Sequence, residues 1–223
     1  MVKLIVFDWD DVFTMGSTNA YYACYHETLR QLGVKLAPEE EEKRIKARWG
    51  STVEEEFGSL LKEEPQLIGK AVRIYEDLLM GDLFVSHLSI VPGGADFIKS
   101  LSSQYKIAIA SGVNPRLLKE KIFTKFDIPN VFSAIKTVYD LDDPSHAKPH
   151  PYLILEILKE LKIAPGEAAM VGDAPGDMKM AMSADVTPIA VLTGHLNRKQ
   201  AEELGVKYVA DDVTKILPIL KRI

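Results

Sequence analysis

Short runs of β-branched and other apolar residues recur along this chain, each too brief for a buried helix. They read as strands at Lys3–Phe7, Lys106–Ala110, Ala134–Val138, Ala168–Val171 and Thr187–Val191, with a further one at Lys207–Val209. Longer amphipathic segments separate them, which is the pattern of βαβ units around a parallel sheet. The near-continuous apolar character of the runs fits strands covered on both faces. The expected fold class is therefore α/β, with a doubly wound, Rossmann-like parallel sheet as its core.

One interval breaks the rhythm. Roughly a hundred residues separate the first run from the second, far more than an ordinary βα connection holds. Much of this interval reads as helix, over Asn19–Leu32, Pro38–Arg48, Thr52–Lys62 and Gln66–Leu79. In "KLAPEEEEKRIKARWG", Pro38 suits a helix start and the acids fall in the first turn. Basic residues follow, and Gly50 is a stop. Pro92, Gly93 and Gly94 then form a turn before a helix over Ala95–Leu101. The expected organisation is a core of residues 1–14 and 88–223, with a small α-helical domain of residues 15–87 inserted after the first strand.

The totals narrow the function classes. The net charge of -5 and pI near 5.6 argue against a nucleic-acid partner, whose binding domain is usually basic. No apolar stretch approaches the ~20 residues of a membrane helix. The start "MVKLIVFD" lacks a signal-peptide cleavage site. Cys24 is the only cysteine, so no intrachain disulfide can form and a reducing cytoplasm is the expected compartment.

The chemistry concentrates where the strands end. A doubly wound sheet holds its ligand beyond the carboxyl ends of its strands. The first run ends in "DWDD", which supplies Asp8 and Asp10. The second ends in Ser111, within "IAIASGVNP", and the fourth leads into "GDAPGD", which supplies Asp173 and Asp177. Lys148, in "HAKPHPYLILEIL", immediately precedes a helix. This set suits phosphoryl transfer through an aspartyl phosphate. Asp8 is placed as a covalent nucleophile. A carboxylate meets a phosphate dianion only when a hard cation screens the two, and Mg²⁺ takes one or two carboxylates in that role. Asp8 and Asp173 suit it. Asp10 lies on the same side of an extended segment as Asp8 and can act as general acid and base. Ser111 and the N–H groups after it, beginning with Gly112, can hold a phosphate oxygen. Lys148 supplies compensating positive charge.

The same residues resemble the motifs of the haloacid dehalogenase-like superfamily. "DWDDVFT" resembles its first motif, "IAIAS" its second, Lys148 in "KPHP" its third, and "GDAPGD" its fourth. Each motif alone is weakly specific. Their ordered occurrence over the whole core is far more so. The helical insert resembles the cap of the subfamily that includes phosphoglycolate phosphatases, pyrophosphatases, phosphonatases and β-phosphoglucomutases. The resemblance implies that Asp8 is the nucleophile and Asp10 the general acid and base. It implies Mg²⁺ bound by Asp8, the backbone carbonyl of Asp10, and Asp173, with Asp177 acting directly or through water and orienting Lys148. Asp11 stands where many members have glycine, and aspartate tolerates left-handed and turn conformations better than most residues. Dehalogenating members usually lack the second aspartate, so Asp10 favours a phosphatase or a mutase.

Within the insert, "ARWGST" resembles the substrate-specificity loop of capped relatives, which makes Arg48 and Trp49 candidate substrate-binding residues. An ordinary helix stop with a half-buried Trp is the other reading of that stretch. Tyr22 and His26 are four apart on one helix and either line a cleft or pack the insert. Glu39–Glu42 read as a solvated helix start. The activity expected is Mg²⁺-dependent hydrolysis of a small phosphomonoester, phosphoglycolate-like or a sugar phosphate, by a monomer or homodimer. A sugar-phosphate mutase uses the same core residues and is the alternative. A non-catalytic binding protein on the same fold would be expected to lack at least one of them.

Overall fold

The computed structural model describes residues 1–48 and 52–223, and in it the apolar runs pair as strands. They are β1 (Leu4–Phe7), the two-residue β2 (Thr14–Met15) and β3 (Ser89–Ile90), β4 (Lys106–Ser111), β5 (Ala134–Thr137), β6 (Ala168–Gly172), β7 (Thr187–Val191) and β8 (Tyr208–Ala210). All but β2 and β3 form one six-stranded sheet in the order β5-β4-β1-β6-β7-β8. Every pairing in it is parallel. The chain winds outward from β1 through β4 to β5, then returns to place β6 on the other side of β1. The order therefore reverses between β1 and β6, and ligands of such sheets bind outside the carboxyl ends of the strands at that reversal.

The sheet forms because its central strands have no polar side to offer. Every side chain of β1 is buried, as is every residue of β6. Successive side chains point to opposite faces. Leu4 and Val6 join Ala108, Ala110, Met170, Ile154, Ile157 and Met180 in one apolar cluster. The last three come from α8 (Tyr152–Leu161) and α9 (Pro175–Ser183), so these two helices cover that face. Phe7 points the other way and meets Phe13 edge-on at 4.9 Å, while Trp9 stacks on Phe13 at 5.1 Å. Each fully buried side chain of this size contributes about 1.5–3 kcal/mol. The adjoining core helices are short: α6 (Gly94–Ser102), α7 (Phe123–Lys125), α10 (Arg198–Glu203) and α11 (Leu217–Leu220). A π-helical segment, Leu117–Ile122, leads into α7.

The chain divides into two compact units, Met1–Met15 with Ser89–Ile223, and Gly16–Leu88. The second unit is helical: α1 (Ser17–Leu32), α2 (Pro38–Lys46), α3 (Val53–Leu60), α4 (Ile68–Met80) and α5 (Asp82–Ser86). Buried Ala71, Tyr75 and Leu79 repeat every four residues on α4, which puts them on one face. Tyr75 stacks on Tyr25 of α1 at 4.6 Å, and both contact Phe57 of α3. The Tyr25 hydroxyl donates to buried Glu56. Gly33 closes α1 in the left-handed region, φ 75°, with its N–H turned back onto the last turn. A reciprocal Thr52–Glu55 capping box opens α3. Cys24 is buried in this unit, and burial pushes its thiol up to about 12, which keeps it protonated and unreactive at neutral pH.

The acidic start of α2 is solvated at Glu39 and Glu42, as expected, but not at Glu41. Glu41 is buried, with His26 Nδ1 3.3 Å from its carboxylate. Arg44 is buried too. Its guanidinium forks onto Glu63 at 2.6 and 2.9 Å and donates to the Leu60 carbonyl, tying α2 to the end of α3. Helix α2 ends at Lys46 rather than Arg48.

Candidate active site

The strand register collects the polar residues at one edge. Phe7 pairs with Ile109 on one side and with Val171 on the other. Asp8 follows Phe7, so it emerges between the ends of β4 and β6, level with Ala110 and Gly172 and one residue short of Ser111 and Asp173. Its own N–H still donates to the Val171 carbonyl at 2.9 Å, which fixes its place at the strand end. Asp8 thus sits at the reversal of strand order.

Asp8, Asp173 and Asp177 each present a carboxylate oxygen, and these oxygens lie within 4.8 Å of one another. All three residues are buried. Lys148 enters this group from the segment before α8, with Nζ 2.7 Å from Asp177 Oδ1 and 2.9 Å from Asp8 Oδ1. Asp177 belongs to the first turn of α9, and its other oxygen accepts from the Ala174 N–H at 3.1 Å. Gly172 makes room for it, because a Cβ there would fall 2.4 Å from the Asp177 Cβ.

The electrostatics follow from three acids sharing one base. Burial pushes the Asp173 carboxyl well above the usual range, and the Asp177 and Asp8 carboxylates add to the effect. Asp177 is also raised, first by burial, with Lys148 opposing. Burial works to lower the Lys148 ammonium, but Asp177 and Asp8 together hold it above the ordinary lysine value. One lysine cannot neutralise three buried carboxylates. A hard divalent cation bound through oxygens would, and the donor set fits one.

This imbalance has a measurable consequence. A carboxyl whose folded pKa is raised contributes stability that is fully present below its unfolded pKa, about 3.9, and is lost as pH rises through the raised value. At neutral pH the buried Asp173 carboxyl therefore costs the metal-free fold stability, because burial and its acidic neighbours disfavour the ionisation it has in the unfolded chain. Asp173→Asn keeps an oxygen that can accept the His195 N–H, and it is expected to raise the metal-free Tm. The rise should be about 2–4 °C for each kcal/mol relieved. Thermal melts with and without Mg²⁺ check this: added Mg²⁺ should raise Tm of the unsubstituted protein and not of the variant. A lower metal-free Tm for Asp173→Asn would contradict the charge argument.

The other candidates are placed as follows. Asp10 is partly buried and bridges to Thr14 in the turn after β1. Its carboxylate is not among the clustered oxygens. Asp11 is left-handed at φ 54°, a conformation that aspartate tolerates. Ser111 ends β4 and is buried, with its Oγ accepting from the Val113 N–H at 3.3 Å. A side chain added at Gly112 would meet nothing within 4 Å, so the backbone there is open to approach. Arg48 is exposed just beyond α2, while Trp49 and Gly50 lie outside the described residues.

Sequence reasoning missed the loop after β7. There Thr193 donates its hydroxyl to the Asp11 carbonyl. The His195 N–H donates to Asp173 Oδ2 at 3.0 Å, and the Leu196 N–H to the Asp173 carbonyl at 2.8 Å. The one available signal was a glycine, Gly194, shortly after an apolar strand at the ligand edge.

Comparison with known proteins places these features in a wider set. The family model described as haloacid dehalogenase-like hydrolase matches residues 2–185. "Probable phosphatase IndB" of Dickeya dadantii is 25% identical over 97% of this chain and 93% of its own. The pyrophosphatase PpaX of Bacillus mycoides is 32% identical over 56% of this chain and 57% of its own. Among solved structures, a haloacid dehalogenase-like hydrolase from Bacteroides fragilis superposes with a TM-score of 0.78 at 20% identity, covering 97% of this chain and 100% of that one. The β-phosphoglucomutase of Clostridium difficile superposes at 0.73 with 18% identity, covering 100% and 96%. At such identities these two likenesses speak to the fold.

Proposed function

Since the chain belongs to the haloacid dehalogenase-like hydrolase family, we propose that it is a Mg²⁺-dependent phosphatase that hydrolyses small phosphomonoesters through an aspartyl phosphate on Asp8. The observation that carries this reading is the Lys148 ammonium 2.9 Å from Asp8 and 2.7 Å from Asp177, inside a buried trio of carboxylates at the strand ends. Asp8, Asp173 and Asp177, with the backbone carbonyl of Asp10, would hold Mg²⁺, which when bound screens the carboxylates from the substrate dianion.

The chain's own groups divide the work. Ser111 and the Gly112 N–H hold phosphoryl oxygens, and Lys148 offsets charge as it develops. An Asp8 oxygen bonds to phosphorus as the bond to the ester oxygen breaks, and Asp10 gives that oxygen its proton. Asp10, now a carboxylate, takes a proton from water. The resulting hydroxide bonds to phosphorus, the bond to Asp8 breaks, and inorganic phosphate leaves. In this reading Gly16–Leu88 is the cap, closing to exclude bulk water. Arg48 and Trp49 are its candidate contacts to the part of the substrate remote from phosphate.

A phosphate-release screen over phosphorylated metabolites tests the proposal. Phosphoglycolate and pyrophosphate belong in the panel because relatives carry those names. Turnover is expected with Mg²⁺, without any bisphosphate activator, and not in excess chelator. Full activity in chelator would reject the metal. Isomerised sugar phosphate with no phosphate release would indicate a mutase.

A further inference from the structure

We propose that the loop Thr193–His195 after β7 is a positioning device for metal capture, with Gly194 as its key residue acting through Asp173. The inference rests on the metal-site reading above. Three contacts carry it. The His195 N–H holds Asp173 Oδ2 at 3.0 Å. The Thr193 hydroxyl, one residue before Gly194, anchors the loop to the Asp11 carbonyl in the segment that follows Asp8. Between these holds the Gly194 backbone lies directly against the carboxylate. A Cβ built there would sit 1.8 Å from Asp173 Oδ2, 2.5 Å from its Cγ and 2.9 Å from its Cβ.

No real side chain fits into such distances. Asp173 is 1% exposed, and at these distances an added carbon forces the carboxylate and the loop apart, which changes the carboxylate's placement in the cluster. The glycine is not there for backbone freedom, since it is absent from the positive-φ glycines Gly16, Gly33, Gly93 and Gly205. An alanine at 194 therefore meets no left-handed strain, and its effect falls on Asp173. Register explains why this loop reaches this acid. Gly172 pairs with Ala190, so the chain beyond β7 continues beside the chain beyond β6. The loop does for Asp173 what outer-shell partners do for metal ligands generally: it fixes orientation before the ion arrives.

The test is binding of Mn²⁺ alone to the full chain, followed by the electron paramagnetic resonance signal of the free ion. Losing an outer-shell partner typically costs about 10–100-fold in metal affinity, and Gly194→Ala is expected to weaken Mn²⁺ by that factor. Gly166→Ala, at a glycine with nothing within 4 Å, is the control and should bind as the unsubstituted protein does. Asp173→Asn should lose the site. Unchanged affinity in Gly194→Ala overturns the proposal. Unchanged affinity in Asp173→Asn means that the metal reading itself fails, and the proposal falls with it. If Gly194→Ala does not fold by circular dichroism, Thr193→Val takes its place. That variant releases the loop's other anchor at equal volume, and it should weaken Mn²⁺ in the same direction by a smaller factor. Unchanged affinity there overturns the proposal equally.

Discussion

Asp8→Asn is expected to remove phosphate release entirely, a loss on the order of 10⁴–10⁶-fold, as when a covalent nucleophile is deleted elsewhere. The amide cannot form the acyl phosphate, and no other carboxylate can replace it. Asp173 and Asp177 are already committed, Asp173 to the His195 N–H and Asp177 to the Ala174 N–H and Lys148. The fold should survive. The substitution is nearly isosteric, the Asp8 N–H keeps its bond to Val171, and Lys148 keeps Asp177 as its partner. Phosphate release measured beside a thermal melt checks both halves. Residual turnover above a few parts in a thousand, on the scale of a lost acid–base group, would mean that Asp8 is not the nucleophile.

Asp10→Asn is expected to give a different signature. Departure of the ester oxygen and activation of water both need a proton carrier, so both steps should slow, by about 10²–10⁴-fold. The nucleophile is intact in this variant, so the chemistry still starts. Esters whose leaving group is a good one, such as a nitrophenolate, need no proton on departure. For those the first step should recover and only hydrolysis should stay slow, so the phosphorylated enzyme accumulates. Rapid-quench kinetics with an alkyl and a nitrophenyl phosphate separate the two steps. Equal turnover of Asp10→Asn and the unsubstituted protein on the alkyl ester would contradict the acid–base assignment.

Much of this frame was legible in the sequence because the physics behind it is local. Strands such as Leu4–Phe7 and Ala168–Gly172 are apolar throughout, and only a sheet covered on both faces buries them completely. Asp8 and Asp173 directly follow those strands, so any parallel arrangement puts them at one edge. Asp11 is legible in the same way, since the left-handed φ of 54° it adopts is one that few side chains accept. Other features depend on what the fold brings near. The burial of Arg44 depends on the Leu60 carbonyl at the end of α3 and on Glu63 just beyond it, partners that only the fold brings near. The hold of Gly194 and His195 on Asp173 exists only because β7 lies beside β6. The ribbon β2–β3 has two residues per strand, too few for any periodicity, and the π-helical turn at Leu117–Ile122 carries an amphipathic pattern that an ordinary helix would share.

The central claim is a covalent phosphoryl group on Asp8, and the most direct measurement is to trap it. The Asp10→Asn protein, mixed with a phosphorylated substrate and Mg²⁺ and quenched in acid, should carry a phosphoryl adduct on the peptide that contains Asp8. Mass spectrometry should find that adduct gone after hydroxylamine treatment, as expected of an acyl phosphate. An unmodified Asp8 peptide during demonstrable turnover, or a phosphoryl group mapped to any other residue, would contradict the account.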